Sequence, residues 1–284
     1  MDLLDREGEL ADLYAFCADG DPFEWWQGPR GAGKTALAAW FALHPPPSIR
    51  VVSFFVIQRL AGESDSNGLT DSLFRQLAFL TGNPDAWSWP AEDRRRLLAP
   101  LLEAASSRLA EHGDRLLLVV DGLDEDQGGR PEGGPPSIAS ILPVRPPAGI
   151  RVLVTSLDQF DLPGDVDLGH PLRHCPRRVL TASPHARNEE AKARCELRGK
   201  LHNQQTREVI GLLTAAGGGE LTVAELAGLA GLEEFTVGEI IDSLSRRILL
   251  TWERGYRNGE QVHPFRTEAL YSAAQQLLGT DLER

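Results

Sequence analysis

The sequence predicts an α/β fold built on a parallel β-sheet, followed by a smaller and mainly helical region. Three apolar runs carry the first part of this prediction: RVVSFFVI, RLLLVVD and GIRVLVTS. Near-continuous apolar strands are typical of parallel sheets covered by helices on both faces. Helix-forming stretches separate the runs, which is the order of a parallel α/β sheet. After about residue 183 the apolar spacing becomes mainly helical.

Composition and charge indicate a folded protein and argue against a nucleic-acid-binding one. The chain has 284 residues, of which 42% are hydrophobic and 25% charged, enough for one large domain or two ordinary ones. Its net charge is -12, from 29 basic and 41 acidic residues. Because neutralisation of phosphates dominates affinity for nucleic acids, we expect nucleic acid to be an unlikely partner.

The sequence favours a cytoplasmic location. The acidic N-terminal stretch does not resemble a signal peptide, and the longest apolar runs fall far short of the roughly 18 residues of a membrane span. Cys17, Cys175 and Cys195 have neither disulfide nor metal-ligand spacing. We therefore expect a reducing, intracellular environment and no membrane partner.

The elements of the first domain, residues 1–182, follow from apolar spacing and from proline and glycine. The triple proline at 45–47 ends the helix that follows the first strand. Predicted helices cover 5–18, 34–43, 70–80, 91–112 and 137–142. Predicted strands cover 23–28, 50–57, 115–121, 149–156 and 177–182. The Gly- and Pro-rich stretch 126–136 is predicted to be a surface loop.

The rest of the chain is predicted to form a short helical linker, residues 183–203, and a winged-helix domain, residues 204–284. Its predicted helices cover 185–200, 204–216, 222–230, 236–247 and 266–278. Two short strands around a polar turn precede the last helix. Three helices followed by a hairpin is the pattern of a winged helix.

A phosphate-binding loop is predicted between the first strand and the following helix. The stretch WWQGPRGAGKTALAAW contains the pattern G-x-x-x-x-G-K-[ST] in this context. Such glycines let backbone N–H groups turn inward around a phosphate, while Lys34 reaches the β- and γ-phosphates. The Thr35 hydroxyl is a ligand for Mg²⁺. The residues predicted to bind nucleotide here are Gly28, Gly31, Gly33, Lys34, Thr35 and Ala36.

Polar side chains are predicted at the ends of two neighbouring strands. In LLLVVDGLDE, Asp121 stands where proteins with such a loop hold Mg²⁺, so Asp121 and Thr35 are the predicted metal ligands. Asp124 and Glu125 are the predicted catalytic residues, which orient or deprotonate the attacking water. In RVLVTSLD, we expect the hydroxyl of Thr155 or Ser156, in particular Ser156, to contact the γ-phosphate or this water.

These elements together resemble the STAND class of signal-transduction ATPases, most closely the NACHT branch and its bacterial relatives. LLLVVDGLDE looks like the NACHT form of the Walker B element, RVLVTSLD resembles the sensor 1 strand, and DREGELADL resembles the segment that helps close the adenine site. LLTAAGGGELTVAELAGLAGL and VHPFRTEAL resemble the winged helix that closes over the nucleotide. The resemblance covers nearly the whole chain and implies a P-loop NTPase that binds ATP or ADP with Mg²⁺.

The resemblance also implies roles for two further positions. His263 stands where family members place a histidine that senses the β-phosphate of ADP. Leu157 stands where many members carry an arginine that reaches the γ-phosphate, and this departure implies slow hydrolysis. The family implies protein partners or self-assembly.

Three functions are open at this stage. The first is an ATP/ADP switch in bacterial signalling or defence, in which the helical region clamps ADP and opens on exchange for ATP. The second is a DNA-engaging AAA+-like ATPase with a working winged helix, although the helix 236–247 carries Glu239 and Asp242. The third is a scaffold that nucleotide stabilises without turnover, which Leu157 favours.

Overall fold

The computed structural model divides into two compact units, Met1–Ala182 and Ser183–Arg284. Within them the structure describes residues 3, 5–58, 62–83, 90–129, 133–181, 184–218, 221–245, 247–253 and 261–279. The polar turn at 254–260 and residue 246 of the predicted helix 236–247 lie outside the described residues. None of the described helices is long and apolar enough to cross a membrane.

The first unit is the parallel α/β sheet that the apolar runs predict. Its helices are α1 (Glu7–Ala18), α2 (Lys34–Leu43), α3 (Ser66–Leu80), α4 (Ala91–Ala110) and α5 (Ile138–Ile141). Its strands are β1 (Phe23–Gln27), β2 (Ile49–Phe55), β3 (Arg115–Asp121), β4 (Ile150–Ser156) and β5 (Arg177–Val179). The five strands are parallel and lie in the order β2-β3-β4-β1-β5. This confirms the predicted sheet with flanking helices.

Both faces of the sheet are buried, which explains why the strands lack polar alternation. Successive strand residues point to opposite faces. Trp25 therefore belongs to the core under α3 and α4, whereas Trp26 belongs to the core under α1 and α2. In β3, Leu118 and Val119 divide between the two cores in the same way.

The strand order brings the predicted site residues to one edge. β4 lies between β1 and β3, so the loop after β1 and the carboxyl ends of β3 and β4 are neighbours. After β1 the chain continues to β2, the outermost strand on one side of the sheet, and returns through β3 and β4. Strand β5 lies on the other side of β1. Ligands bind at such a reversal of strand order in open α/β sheets.

Several elements differ from their predicted bounds by a few residues, and α3 and β5 are two examples. Helix α3 begins at Ser66, four residues before the predicted start at 70, because the Asp65 carboxylate caps it by accepting from the N–H groups of Asn67 and Gly68. Strand β5 ends at Val179 rather than at 182, although the N–H of Leu180 still donates to Gln27 O of β1 at 2.7 Å.

The second unit is helical with a two-stranded sheet. Its elements are α6 (Pro184–Lys200), α7 (Gln204–Ala215), α8 (Val223–Ala230), α9 (Glu234–Leu244), β6 (Trp252–Glu253), β7 (Gln261–Val262) and α10 (Glu268–Leu278). β6 and β7 pair in antiparallel fashion. Helix α6, in the predicted linker, buries Leu197 in the same core as Ile210, Ile241 and Phe265. The order of elements is the predicted one, and the winged-helix assignment stays a prediction.

Replacing Gly68 by alanine tests the packing of the first turn of α3. A Cβ at this position would lie 2.0 Å from Gly62 O, so the backbone must move. We expect Gly68→Ala to lower the free energy of unfolding by about 1–3 kcal/mol. Gly8 in α1 is the control, because a Cβ there meets nothing within 4 Å. Urea unfolding that shows equal stability for Gly68→Ala and Gly8→Ala would contradict this packing.

Candidate nucleotide-binding site

The loop between β1 and α2 needs its glycines for two different reasons. Gly31 and Gly33 have φ angles of 77° and 90°, in the left-handed region that other residues rarely adopt. Gly28 lies so close to the backbone after β5 that a Cβ would stand 2.3 Å from Leu180 O. Three of the predicted residues are therefore glycine because of backbone conformation or close approach, as a phosphate-binding loop requires.

Lys34, the first residue of α2, lies over this loop. Its Nζ donates to Gly28 O at 2.6 Å and to Pro29 O at 3.2 Å. Partial burial lowers the pKa of Lys34, and the carboxylates of Asp124 and Asp121 oppose that shift. The ammonium group is thus held at the N-terminus of a helix, where the helix dipole also favours an anion. Ala36, also predicted, lies exposed in the first turn of α2.

Asp121 is the centre of a hydrogen-bond network that joins three elements. Its Oδ2 accepts from the Thr35 hydroxyl of α2 at 2.7 Å, and its Oδ1 accepts from the Thr155 hydroxyl of β4 at 2.6 Å. The Thr155 oxygen in turn accepts from the N–H of Gly122 at 3.0 Å. Burial raises the pKa of Asp121, while the two hydroxyl donors and Lys34 lower it. Both carboxylate oxygens are therefore held in fixed directions.

The donor atoms of this network fit a magnesium ion. The Thr35 hydroxyl and the Asp121 carboxylate supply two adjacent oxygen atoms, the ligand type that Mg²⁺ prefers. No group of three or more His, Cys, Asp or Glu that could hold a metal occurs among the described residues. A metal at Thr35 and Asp121 would thus take its remaining ligands from phosphate oxygens and water, as Mg²⁺ does in phosphate sites.

The two predicted catalytic carboxylates lie in the turn after β3, and backbone amides hold both. Asp124 Oδ1 accepts from the N–H of Leu157 at 2.8 Å, beside the end of β4. Glu125 Oε2 accepts from the N–H of Gln58 at 3.2 Å, beside the end of β2. The carboxylates of Asp124 and Asp121 both raise the pKa of Lys34, against the effect of burial.

Ser156 points away from Asp121. Its hydroxyl is buried on the opposite face of β4, where it accepts from Trp25 Nε1 at 2.9 Å and donates to Leu157 O at 2.9 Å. Thr155, one residue earlier, points to the face of Asp121. The geometry does not support the predicted contact of Ser156 with the γ-phosphate, because strand alternation turns its hydroxyl into the core. Of the two hydroxyls, the structure brings that of Thr155 to the site.

His263 lies in the second unit, directly after β7. Its side chain is 4% exposed, with Nδ1 3.5 Å from the Thr251 hydroxyl. Its Nε2 is buried and has no hydrogen-bond partner among the residues that the structure describes. Burial lowers the pKa of His263, and Asp242 opposes the shift. The predicted contact of His263 with ADP stays a prediction.

One contact to the loop is absent from the sequence-based prediction. Arg6 at the start of α1 is 5% exposed, and its Nη2 donates to Ala32 O of the loop at 2.6 Å. The only sequence signal for it is the stretch DREGELADL, which points to the adenine site rather than to the loop.

The comparison with family models agrees with this geometry. Residues 24–161 match the NACHT domain, a range that includes the loop, Asp121 and the end of β4. Over this range, just under half of the chain, the protein is thus similar to a NACHT domain.

The chain is weakly similar to two solved structures. One is the crystal structure of a STAND protein with a tetratricopeptide repeat sensor from Pyrococcus horikoshii, with TM-score 0.45 and 13% identity over 98% of this chain and 43% of that chain. The other is Drosophila ORC bound to DNA, with TM-score 0.44 and 16% identity over 86% and 56%. The chain thus spans about half the length of each. No curated protein sequence matches the chain.

Proposed function

We propose that the chain is an ATP/ADP-binding switch module of the STAND class with slow, Mg²⁺-dependent hydrolysis. The observation that carries this proposal is the network of Thr35, Asp121 and Thr155, which ties the helix after the loop to the ends of β3 and β4. Such a connection lets a change at the phosphates act on several elements at once. The same proposal includes a role in bacterial signalling or defence, a cytoplasmic location, and self-assembly or protein partners.

Each residue of the site has a proposed role. Lys34 and the N–H groups of the loop bind the β- and γ-phosphates. Thr35 and Asp121 hold Mg²⁺, which neutralises phosphate charge when it is bound. Asp124 is the favoured group for orienting or deprotonating the attacking water, with Glu125 as the alternative. Thr155 holds the Asp121 carboxylate in place, and Leu157 supplies no cation at the γ-phosphate.

The second unit is proposed to be a winged helix that closes over ADP through His263. Its place directly after β7, where the resemblance puts the histidine that senses ADP, supports this role. Exchange of ADP for ATP would favour an open state, because the two nucleotides differ in their contacts.

The chemistry of the second unit does not favour a DNA-engaging function. Helix α9, which would be the recognition helix, exposes Glu239 and Asp242. These carboxylates would approach DNA phosphates, and the chain as a whole has a net charge of -12. A scaffold without turnover is the second candidate, because Leu157 stands at the position of the expected arginine.

Comparing the nucleotide states by small-angle scattering and limited trypsin digestion separates a switch from a scaffold. We expect the radius of gyration and the digestion pattern to differ between the complexes with Mg²⁺-ADP and a slowly hydrolysed ATP analogue. Identical curves and fragments for the two complexes, with both nucleotides bound, would favour the scaffold. The Lys34→Ala variant provides the nucleotide-free reference.

Replacing Thr155 tests whether its hydroxyl positions Asp121. Thr155→Val keeps the shape of the side chain and removes the donor, so we expect ADP affinity in Mg²⁺ to fall by about tenfold. Affinity in EDTA should not change, because the loop and Lys34 are intact. Thr155→Ser keeps the hydroxyl and should restore the Mg²⁺ effect. Equal behaviour of the valine and serine variants in a fluorescent-ADP titration would contradict this role.

Replacing His263 tests the proposed ADP contact. We expect His263→Gln to weaken ADP binding by about tenfold and to leave ATP binding unchanged, because the proposed closed state is specific to ADP. His202 in the same unit is exposed, and His202→Gln serves as the control. Calorimetric titration measures both affinities. Unchanged ADP affinity in His263→Gln would contradict the contact.

A further inference from the structure

Arg6 connects three segments that are distant in sequence. Its Nη2 donates to Ala32 O of the phosphate-binding loop at 2.6 Å and to Thr181 O, two residues after β5, at 2.7 Å. Its Nη1 forms an ion pair with Glu9 at 2.5 Å, and its side chain is 6% exposed. A buried guanidinium group must have such partners, because burial of an unpaired charge is very unfavourable. The position of this side chain is therefore well defined.

The bond to Ala32 O determines the orientation of one peptide group of the loop. The C=O of Ala32 and the N–H of Gly33 belong to the same planar trans peptide and point in opposite directions. With the carbonyl oxygen held by Arg6, the N–H of Gly33 points away from the guanidinium group. Gly33 has a φ angle of 90°, and a Cβ on it would lie 3.6 Å from Arg6 Nη2. Arg6 thus packs directly against the turn that exposes this N–H group.

The second carbonyl anchors this arrangement to the sheet. Leu180, the residue before Thr181, donates its N–H to Gln27 O at 2.7 Å, and its own carbonyl oxygen leaves no room for a side chain at Gly28. The backbone at 180–181 is thereby attached to the end of β1. Arg6 therefore links the far end of the loop, at Ala32, to this part of the backbone, at Thr181.

We propose that Arg6 is a positioning residue of the phosphate-binding loop, which keeps the N–H of Gly33 turned toward the bound phosphate by holding Ala32 O. The role rests on the proposed nucleotide-binding function. Arg6 itself does not contact the nucleotide in this role. It acts through the peptide between Ala32 and Gly33.

The test combines nucleotide affinity with a spectroscopic signal from the single peptide concerned. Labelling alanine with ¹³C at the carbonyl and glycine with ¹⁵N selects only Ala–Gly peptides, which in this sequence are 32–33, 61–62, 148–149, 216–217, 227–228 and 230–231. The signal of 32–33 is assigned by its loss in Ala32→Ser. Arg151→Gln is the matched control. Arg151 Nη1 also donates to two carbonyl groups, Gly20 O at 2.8 Å and Asp21 O at 2.7 Å. These residues lie at the amino ends of β4 and β1, whereas the phosphate-binding loop follows the carboxyl end of β1.

We expect Arg6→Gln to shift the 32–33 signal in the nucleotide-free protein and to weaken ADP binding by about tenfold to a hundredfold. Arg151→Gln should change neither. An unmoved signal, an unchanged affinity, or an equal loss of affinity in Arg151→Gln would overturn the positioning role. If Arg6→Gln does not fold, Arg6→Lys, which lacks the planar fork, is judged by the same criteria.

The outcomes for the wild-type protein separate this inference from the proposed function. Failure of the wild-type protein to bind ADP would sink the proposed function, and the positioning role with it. Wild-type binding together with an unaffected Arg6→Gln variant would sink only the role of Arg6.

Discussion

Replacing Lys34 by alanine is expected to reduce the affinity for ADP and ATP by about a hundredfold or more. The ammonium group is the cation held directly over the loop, at 2.6 Å from Gly28 O. Charge-assisted hydrogen bonds to phosphate are about twice as strong as neutral ones, and the helix dipole alone supplies only a partial charge. Titration with a fluorescent ADP analogue measures the loss.

The control for Lys34→Ala is Lys200→Ala, since lysine occurs only at 34, 192 and 200. Lys200 ends α6 in the second unit, so its removal changes the net charge by the same amount without touching the loop. Both variants should remain folded by circular dichroism. Equal affinities of the two variants for ADP would contradict the role of Lys34.

Replacing Asp121 by asparagine is expected to abolish the effect of Mg²⁺ on nucleotide affinity and to lower any hydrolysis by about a hundredfold. The change removes the negative charge and replaces one acceptor oxygen by an NH₂ group. Because the Thr35 and Thr155 hydroxyls each donate to a separate oxygen of Asp121, one of them loses its acceptor. Binding should be compared in Mg²⁺ and in EDTA, and phosphate release measured in parallel.

Asp126→Asn is the control for a general loss of stability. Asp126 is another partly buried aspartate close by, whose carboxylate accepts from the N–H groups of Gly128 and Ile138. Burial raises its pKa too. We expect Asp126→Asn to destabilise the fold while keeping the Mg²⁺ effect. A Mg²⁺ effect that survives in Asp121→Asn would contradict the proposed metal site.

Local sequence patterns were sufficient to predict most of the fold. Apolar runs such as RLLLVVD and the triple proline after α2 depend on neighbouring residues alone, so the elements lie close to their predicted positions. The early start of α3 was also predictable in principle, because Asp65 is a strong helix cap. The phosphate-binding loop was predictable because its backbone requires glycine at particular spacings.

The parts that the sequence could not predict depend on tertiary contacts. Which of Thr155 and Ser156 faces Asp121 depends on the register of β3 and β4, in which Val120 pairs with Val154, so that Thr155 reaches the Asp121 carboxylate. Arg6 pairs with a carbonyl 175 positions away, which no local pattern reveals. Glu24 reads as an interruption of an apolar strand, yet it is buried and accepts from Trp26 Nε1 at 2.6 Å.

The central claim is that the chain binds adenine nucleotide through the loop that begins at Gly28. Isothermal titration of the wild-type protein, first freed of any co-purified nucleotide, tests it most directly with ADP and ATP in Mg²⁺. We expect saturable binding of one nucleotide per chain, lost in Lys34→Ala and retained in Lys200→Ala. Absence of binding to the folded wild-type protein, or equal binding by Lys34→Ala, would contradict it.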